Sequence, residues 1–205
     1  MWRPITGRQA GLAVKRLADI VLASVGLLVF SPVMCVVAVG IMLDSGGPVI
    51  FRQRRVGRCG RAFWVNKFRS MTVNAERNGP ASARASDYVT RTGRLLRLTS
   101  LDELPQLVNV LTGDMSIVGP RPLLPGTIRP SEARRHDMRP GCTGLPVVSG
   151  RQAIGWDERI RLDLWYVDHW SLWLDITILL RTVPVVLSRR NVYNVHGETP
   201  LRPDQ

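Results

Sequence analysis

Ile20-Val-Leu-Ala-Ser-Val-Gly-Leu-Leu-Val-Phe-Ser-Pro-Val-Met-Cys-Val-Val-Ala-Val-Gly-Ile-Met-Leu43 is an apolar run whose only polar side chains are Ser24 and Ser31. As a straight helix it would extend ~36 Å, enough to cross a bilayer core of roughly 30 Å. The run is too long for the apolar part of a signal peptide, and no small-residue cleavage site follows it. Ser31-Pro32 stands close to the middle. Proline removes a backbone donor and crowds the carbonyl four residues back, so a kink is expected there. Arg3, Arg8, Lys15 and Arg16 precede the run, and Arg52, Arg54, Arg55, Arg58 and Arg61 follow it. Basic residues favour the cytoplasmic side of a membrane, so both ends prefer the same side. A plain span would put one basic cluster outside. A helix–break–helix that enters and leaves by one leaflet would satisfy both. On these residues alone, a kinked single span and a re-entrant helix both stand.

The remaining composition narrows the partners. The chain has 205 residues, 45% of them hydrophobic, which suits one domain with an ample core. Its 28 Lys and Arg against 16 Asp and Glu give a net charge of +12. That balance points to an anionic partner such as phospholipid, nucleotide or nucleic acid. Only Lys15 and Lys67 are lysine; the other cations are guanidinium groups, whose planar fork matches phosphate. Cys35, Cys59 and Cys142 are odd in number and lack metal-ligand spacing, and His136, His169 and His196 are scattered. A reducing compartment is therefore expected, with neither a disulfide framework nor a zinc site.

Against this basic background stands Asp102-Glu103, in Leu98-Thr-Ser-Leu-Asp-Glu-Leu-Pro-Gln-Leu-Val-Asn-Val-Leu111. Arg91, Arg94 and Arg97 come just before it. Ser100-Leu-Asp-Glu103 has capping-box spacing, and acids in a first helical turn complement the helix dipole. A structural role thus accounts for part of the doublet. Neighbouring helical residues diverge by about 100°, so the two carboxylates cannot share one capping job. Either one caps and the other works on a ligand, or they face different partners. Carboxylates held among arginines suit chemistry on a phosphate or a metal.

Several segments could supply the positive side of such a site. Val49-Ile-Phe51 and Ala62 to Phe68 read as a β-hairpin with a basic loop around Gly57 and Gly60. Lys67 and Arg69, two apart, would share one face of its second strand. Asn74 to Tyr88 reads as a loop. Gly113 should end the helix that follows the doublet. Pro120-Arg121-Pro122 stiffens the backbone around one arginine, and Arg139-Pro-Gly-Cys-Thr-Gly144 and Ser149-Gly-Arg151 are further glycine-containing basic turns. Together they put arginines on rigid turns, as a diphosphate site needs. Trp156, Trp165, Trp170 and Trp173 cluster near the apolar Leu172–Leu187. Pro184 and the polar residues within that segment argue against a second span. Interfacial helices on a bilayer are expected, with an aromatic core as the alternative.

These blocks, taken in order, resemble the bacterial sugar transferase family, the monotopic phosphoglycosyl transferases. The resemblance runs from Lys15-Arg16 to about Val192. It includes Lys67-Phe-Arg-Ser-Met71, Leu96-Arg97, Ser100-Leu-Asp-Glu-Leu-Pro-Gln-Leu107, Asn109-Val-Leu, Gly113-Asp-Met-Ser-Ile-Val-Gly-Pro-Arg-Pro122, Arg139-Pro-Gly141, Thr143-Gly144 and Ser149-Gly-Arg151. The ordered set is specific where no single block would be. Cys142 and Pro146-Val147 depart from the family pattern and bear on loop shape and on sugar or lipid preference. The chain looks like a minimal form without the multi-span N-terminal region of larger relatives.

The resemblance implies a mixed α/β, mainly helical fold. Residues 1–47 would form a basic N-terminus and a re-entrant membrane helix broken at Ser31-Pro32. Residues 48–193 would form a cytoplasmic catalytic domain with a small β-hairpin and interfacial amphipathic helices, and 194–205 a tail. It implies transfer of a sugar 1-phosphate from a UDP-sugar to polyprenyl phosphate, with release of UMP, at the cytoplasmic face of the inner membrane. Downstream glycosyltransferases would then extend the lipid-linked glycan. Asp102 would be the covalent nucleophile and a Mg²⁺ ligand, and Glu103 its partner. Lys67, Arg69, Arg97, Arg121 and Arg151 are the candidates for binding substrate phosphate, with Arg97 alternatively pairing with Glu103. Lys15 and Arg16 would meet the headgroups of an anionic phospholipid bilayer. A non-catalytic scaffold binding anionic lipid is the competing class; it explains the basic flanks and tryptophans but not Asp102-Glu103. Nucleic acid is not an expected partner, since charge alone suggests it and no recognised binding motif accompanies it.

Overall fold

The computed structural model describes residues 6–73, 88–127 and 129–188. The expected loop from Asn74 falls, apart from Tyr88, outside the described residues, as does the tail from Asn194. The chain opens with one helix, α1 (Thr6–Ser45), with Pro32 inside it. By length and composition α1 is able to cross a membrane. The expected break at Ser31-Pro32 is not an interruption. Pro32 has no N–H to offer the carbonyl of Leu28, but the Ser31 hydroxyl donates to that same oxygen at 2.8 Å. The side chain thus replaces the missing backbone donor. An unpaired carbonyl in hydrocarbon costs several kcal/mol, so this substitution matters most if the bend lies in lipid.

Only short stripes of α1 are buried, and each is spaced four residues apart, as one face of a helix requires. In the first arm these are Lys15, Asp19 and Ala23; in the second, Val37 and Ile41. Asp19 Oδ1 accepts from Ile117 N at 3.0 Å and from the Ser116 hydroxyl at 3.1 Å. Ala23 packs with Phe63, Val65, Val110 and Met115. In the second arm, Val37 and Ile41 pack with Phe68 and Leu96, and Asp44 accepts from Thr92 N at 2.8 Å. Residues 28–33, around the bend, are exposed. Both arms therefore rest on one folded body, and the stretch around Pro32 lies exposed between them.

That body starts with a hairpin, β1 (Ile50–Val56) antiparallel to β2 (Ala62–Phe68), with Phe51 opposite Lys67 and Arg55 opposite Phe63. The first strand is longer than expected because Arg52-Gln-Arg-Arg55 carries no apolar alternation. Arg52 and Arg54 face solvent while Phe51, Gln53 and Arg55 turn inward. Next come α2 (Arg91–Thr99), capped by the Thr90 side chain, and α3 (Gln106–Thr112), closed by Gly113 at φ 91° as expected. A second sheet, β3 (Ser116–Val118) parallel to β4 (Gly141–Thr143), was not expected; three-residue strands leave too little sequence for a period. Helices α4 (Leu145–Val148), α5 (Trp156–His169) and α6 (Leu172–Leu187) complete the fold. Their core joins Val118, Met138, Tyr166, Val167 and Ile178. The tryptophans do not form one aromatic core: Trp165 and Trp173 are exposed. Trp173, Ile176, Leu180, Val183 and Leu187 are all exposed and follow a three–four spacing, so α6 presents an apolar stripe outward.

Candidate active site

Asp102 and Glu103 do not sit in a capped first helical turn. Ser100 ends α2 in the left-handed region at φ 58°. An N-cap needs extended backbone, so Ser100 cannot also start a helix. Its hydroxyl instead accepts from Arg151 Nη2 at 2.5 Å. Leu101–Glu103 form a single 3-10 turn, and α3 begins only after Pro105. The tight turn delivers both carboxylates to one cavity of about 720 Å³. Lys67, Arg69, Arg97, Arg121 and Arg151 line the same cavity, so it gathers every residue assigned to catalysis or to substrate phosphate.

Three attachments hold the turn in register with its surroundings. Lys67 Nζ reaches Glu103 Oε1 at 2.7 Å. Arg97, the other candidate partner for Glu103, donates from Nε to the Ser70 hydroxyl at 2.9 Å, and its charge acts on Asp102 instead. Asn109, on α3, joins the helix to β2: its Oδ1 accepts from Asn66 N at 2.9 Å and its Nδ2 donates to Trp64 O at 2.7 Å. These contacts bring together segments that lie dozens of residues apart.

The two carboxylates are driven apart electrostatically. Burial pushes Asp102 up to about 6; the neighbouring Glu103 adds to the rise, and Lys67 and Arg97 oppose it. Burial also opposes ionisation of Glu103, but Lys67, Arg121 and Arg151 together outweigh it and hold Glu103 below the ordinary carboxylate range. Glu103 is thus favoured as the anion. Asp102 is mostly ionised at neutral pH but remains more basic than an ordinary aspartate, a useful property in a nucleophile or a ligand. Among the described residues Asp102 forms no ion pair, and no group of three or more His, Cys, Asp or Glu converges. Mg²⁺ is commonly held by one or two carboxylates, with substrate phosphates completing its shell, and this donor set fits that pattern.

Arg121 is fixed from all sides. The carbonyls of four successive residues each have a donor: Pro120 from Gly141 N, Arg121 from Arg135 Nη2, Pro122 from Arg55 Nη1 and Leu123 from Val56 N. Arg135 also pairs with Asp163 in the interior, where both side chains are almost wholly buried. One buried ion pair therefore holds the Arg121 carbonyl. Nothing in the local sequence announces it, because Arg135 and Asp163 belong to no motif.

Other assigned residues have different surroundings. Lys15 is not at a headgroup. It is buried, with Nζ 2.7 Å from Asp175 Oδ2 and 2.9 Å from Val118 O. Tyr166 and Trp170 donate to the same Asp175 carboxylate. Arg16 donates to Val110 O at 2.6 Å and Leu111 O at 3.0 Å, closing the C-terminal end of α3, where a cation also suits the dipole. Arg69 lies just past the end of β2, and its Nη2 binds Ser45 Oγ and Gly46 O at the end of α1. Its Nε and Nη1 are buried with no protein partner among the described residues. Ser31 and Pro32 lie on an exposed part of α1 and do not line the cavity. Arg55 and Arg159 line the cavity but carried no motif to mark them.

The comparisons with known proteins agree with this arrangement. Residues 10–189 match the family described as bacterial sugar transferase. An uncharacterized sugar transferase of Bacillus subtilis, EpsL, is 42% identical over 93% of this chain and 96% of its own. A UDP-glucose:undecaprenyl-phosphate glucose-1-phosphate transferase of Caulobacter vibrioides is 44% identical over 87% of this chain and 72% of its own. An undecaprenyl-phosphate galactose phosphotransferase of Salmonella typhimurium is 43% identical over 87% of this chain and 41% of its own. The chain belongs to the bacterial sugar transferase family and is, as a member of it, an enzyme of the phosphoglycosyl transferase type.

Proposed function

We propose that the chain transfers a sugar 1-phosphate from a UDP-sugar to undecaprenyl or another polyprenyl phosphate, releasing UMP and starting a lipid-linked glycan. The observation that carries this reading is the cavity that sets Asp102 beside Glu103 and eight cationic side chains, Lys67, Arg69, Arg97, Arg121 and Arg151 among them. The names of the relatives, which specify UDP-glucose and undecaprenyl phosphate in one case and galactose in another, support the substrate classes. In the first displacement, an Asp102 oxygen attacks the β-phosphorus. The bond from that phosphorus to the bridging oxygen breaks, and its electron pair leaves with UMP. In the second, an oxygen of the lipid phosphate attacks the same phosphorus and the Asp102 carboxylate is restored. An anion must approach a diphosphate anion in both steps, so fixed positive charge is the central requirement. Lys67 holds Glu103 in place and offsets its charge, while Arg97, Arg121 and Arg151 face the phosphates. Asp102 would hold a Mg²⁺, which when bound supplies further charge neutralisation.

The same reading makes α1 re-entrant and the protein monotopic on the cytoplasmic face. Its support is that Lys15 and Asp19 in one arm and Asp44 in the other all bond to one folded body. A span with its ends on opposite sides could not keep both sets. Single cysteines at residues 8 and 58 should therefore both be modified from the cytoplasmic side; modification from opposite sides would restore the plain span.

The decisive assay is UMP release from a panel of UDP-sugars with polyprenyl phosphate and Mg²⁺, which also names the sugar. No release from any of them would remove the transfer reading and leave the lipid-binding scaffold. The rate should rise with pH through about 6 as Asp102 ionises. Lys67→Met removes a charge that favours ionisation of both carboxylates, so it should lower the rate and move that limb to higher pH. A limb that stays in place would detach Lys67 from the carboxylate pair.

A further inference from the structure

Gln106 is the first residue of α3 and is only 2% exposed, yet it lines the cavity. Its carboxamide has no hydrogen-bond partner among the described residues. Its polar atoms are not sealed inside the protein either, so the amide opens onto the cavity. A buried amide left unpaired costs free energy, and a ligand in the cavity would offset that cost. The backbone explains why the group is there. Leu104 and Pro105 both hold right-handed helical angles, so the chain turns without a break from Leu101 into α3. Gln106 follows Glu103 by three residues and Asp102 by four. At those separations side chains stand over one another on a helix, roughly 5–6 Å apart at Cβ. The amide is therefore one turn beyond the two carboxylates, on their side of the cavity.

Chemistry and geometry together select the ligand. The eight cations of the lining suit phosphate oxygens, which only accept hydrogen bonds. A carboxamide is uncharged and offers both donors and an acceptor, which matches a hydroxyl group, itself donor and acceptor. The other amide and hydroxyl side chains of the lining that are not exposed each have a side-chain partner: Gln53 with Arg55, Ser70 with Arg97, Ser100 with Arg151, and Thr143 with Thr182. On the transfer reading above, Asp102 attacks phosphorus in line with the departing oxygen, so UMP leaves on the side away from Asp102. The sugar is joined to the same phosphorus through its own oxygen and stays beside the turn that carries the nucleophile. We propose that Gln106 is a specificity-determining residue whose carboxamide binds a hydroxyl group of the transferred sugar. The proposal rests on the transfer reading for the identity of that ligand.

The test is calorimetric binding of UDP-glucose, UDP-galactose, UDP-N-acetylgalactosamine and UDP to the purified full chain in detergent. An Asp102→Asn background prevents turnover. Adding Gln106→Met should weaken the best-bound sugar nucleotide about tenfold, the size of one lost hydrogen bond, and leave UDP within about twofold. Tm should not fall, because the amide removed had no partner in the protein. Gln106→Asn keeps the amide but withdraws it by one methylene, and should show the same selective loss. Equal losses for UDP and the sugar nucleotide would overturn the proposal by moving the amide to the nucleotide. Unchanged binding of all four would overturn it outright, as would failure of all four to bind before Gln106 is altered. A lowered Tm with losses that do not distinguish the ligands would make Gln106 structural. The two readings fail separately. Sugar binding that depends on Gln106, without UMP release when Asp102 is present, keeps the sugar site and loses transfer. UMP release with sugar binding that ignores Gln106 keeps transfer and loses the sugar site.

Discussion

Asp102→Asn should lower UMP release by on the order of a thousandfold or more, because it removes the group that forms the covalent bond. A phosphosugar adduct trapped from labelled UDP-sugar should disappear with it. The same substitution should make the protein more stable at neutral pH. In the folded state burial raises Asp102 from 3.8 to about 6. A carboxylate whose folded pKa is raised disfavours folding once it ionises. That penalty is absent below the unfolded value and complete above the folded one. An amide carries no such penalty, so Tm should exceed that of the unaltered chain at pH 8 and the gap should close toward pH 4. Loss of activity together with gain of stability marks a residue kept for chemistry. A surviving adduct would move the nucleophile elsewhere, and an inactive variant with lowered Tm would make Asp102 a structural residue.

Lys15→Met should destabilise the fold by about 3–5 kcal/mol, because it leaves the buried Asp175 carboxylate without its counter-charge. Both side chains are 9% exposed, so water cannot take the place of the ammonium. For a chain of this size that loss lowers Tm by on the order of 10 °C. Adding Asp175→Asn should restore much of the stability. The amide carries no charge, and its oxygen still accepts from Tyr166, whose hydroxyl lies 2.6 Å from Asp175 Oδ1. A lysine lying among lipid headgroups would behave otherwise, with a change of at most about 0.5 kcal/mol and no recovery from the second substitution. Thermal unfolding of the two variants in detergent separates the cases.

What could be read from the sequence was what had a period or a motif. The apolar run, the hairpin, the Gly113 helix end and the doublet with its basic neighbours are all local patterns. The residues proposed for catalysis and phosphate binding do line one cavity. What escaped reading depends on distant partners. Capping-box spacing at Ser100 was a false lead, since the left-handed backbone that ends α2 overrides it. Arg97 was the candidate for pairing with Glu103 and Lys67 was read only as a phosphate ligand, yet it is Lys67, set opposite Phe51 by the hairpin register, that meets Glu103. Lys15 looked like a headgroup ligand because its partner, Asp175, lies 160 residues away. Arg135 and Asp163 carried no signal at all, since a buried ion pair leaves no period behind it.

The distance between Lys15 and Asp175 also orders events at the ribosome. Lys15 and Asp19 emerge with the apolar helix, well before Asp175. At roughly 5–20 residues per second, Asp175 follows about 8 to 30 seconds later. For that interval the lysine lacks the anion it meets in the folded chain. On the membrane reading proposed above, the apolar arms would meet lipid first, and the folded body would then be assembled around polar groups already in place. A chain stalled or cut before α6 would hold an inserted helix with an unanswered charge, a state that quality-control proteases could recognise. Closing the Lys15–Asp175 bond therefore has to wait until α6 has been made.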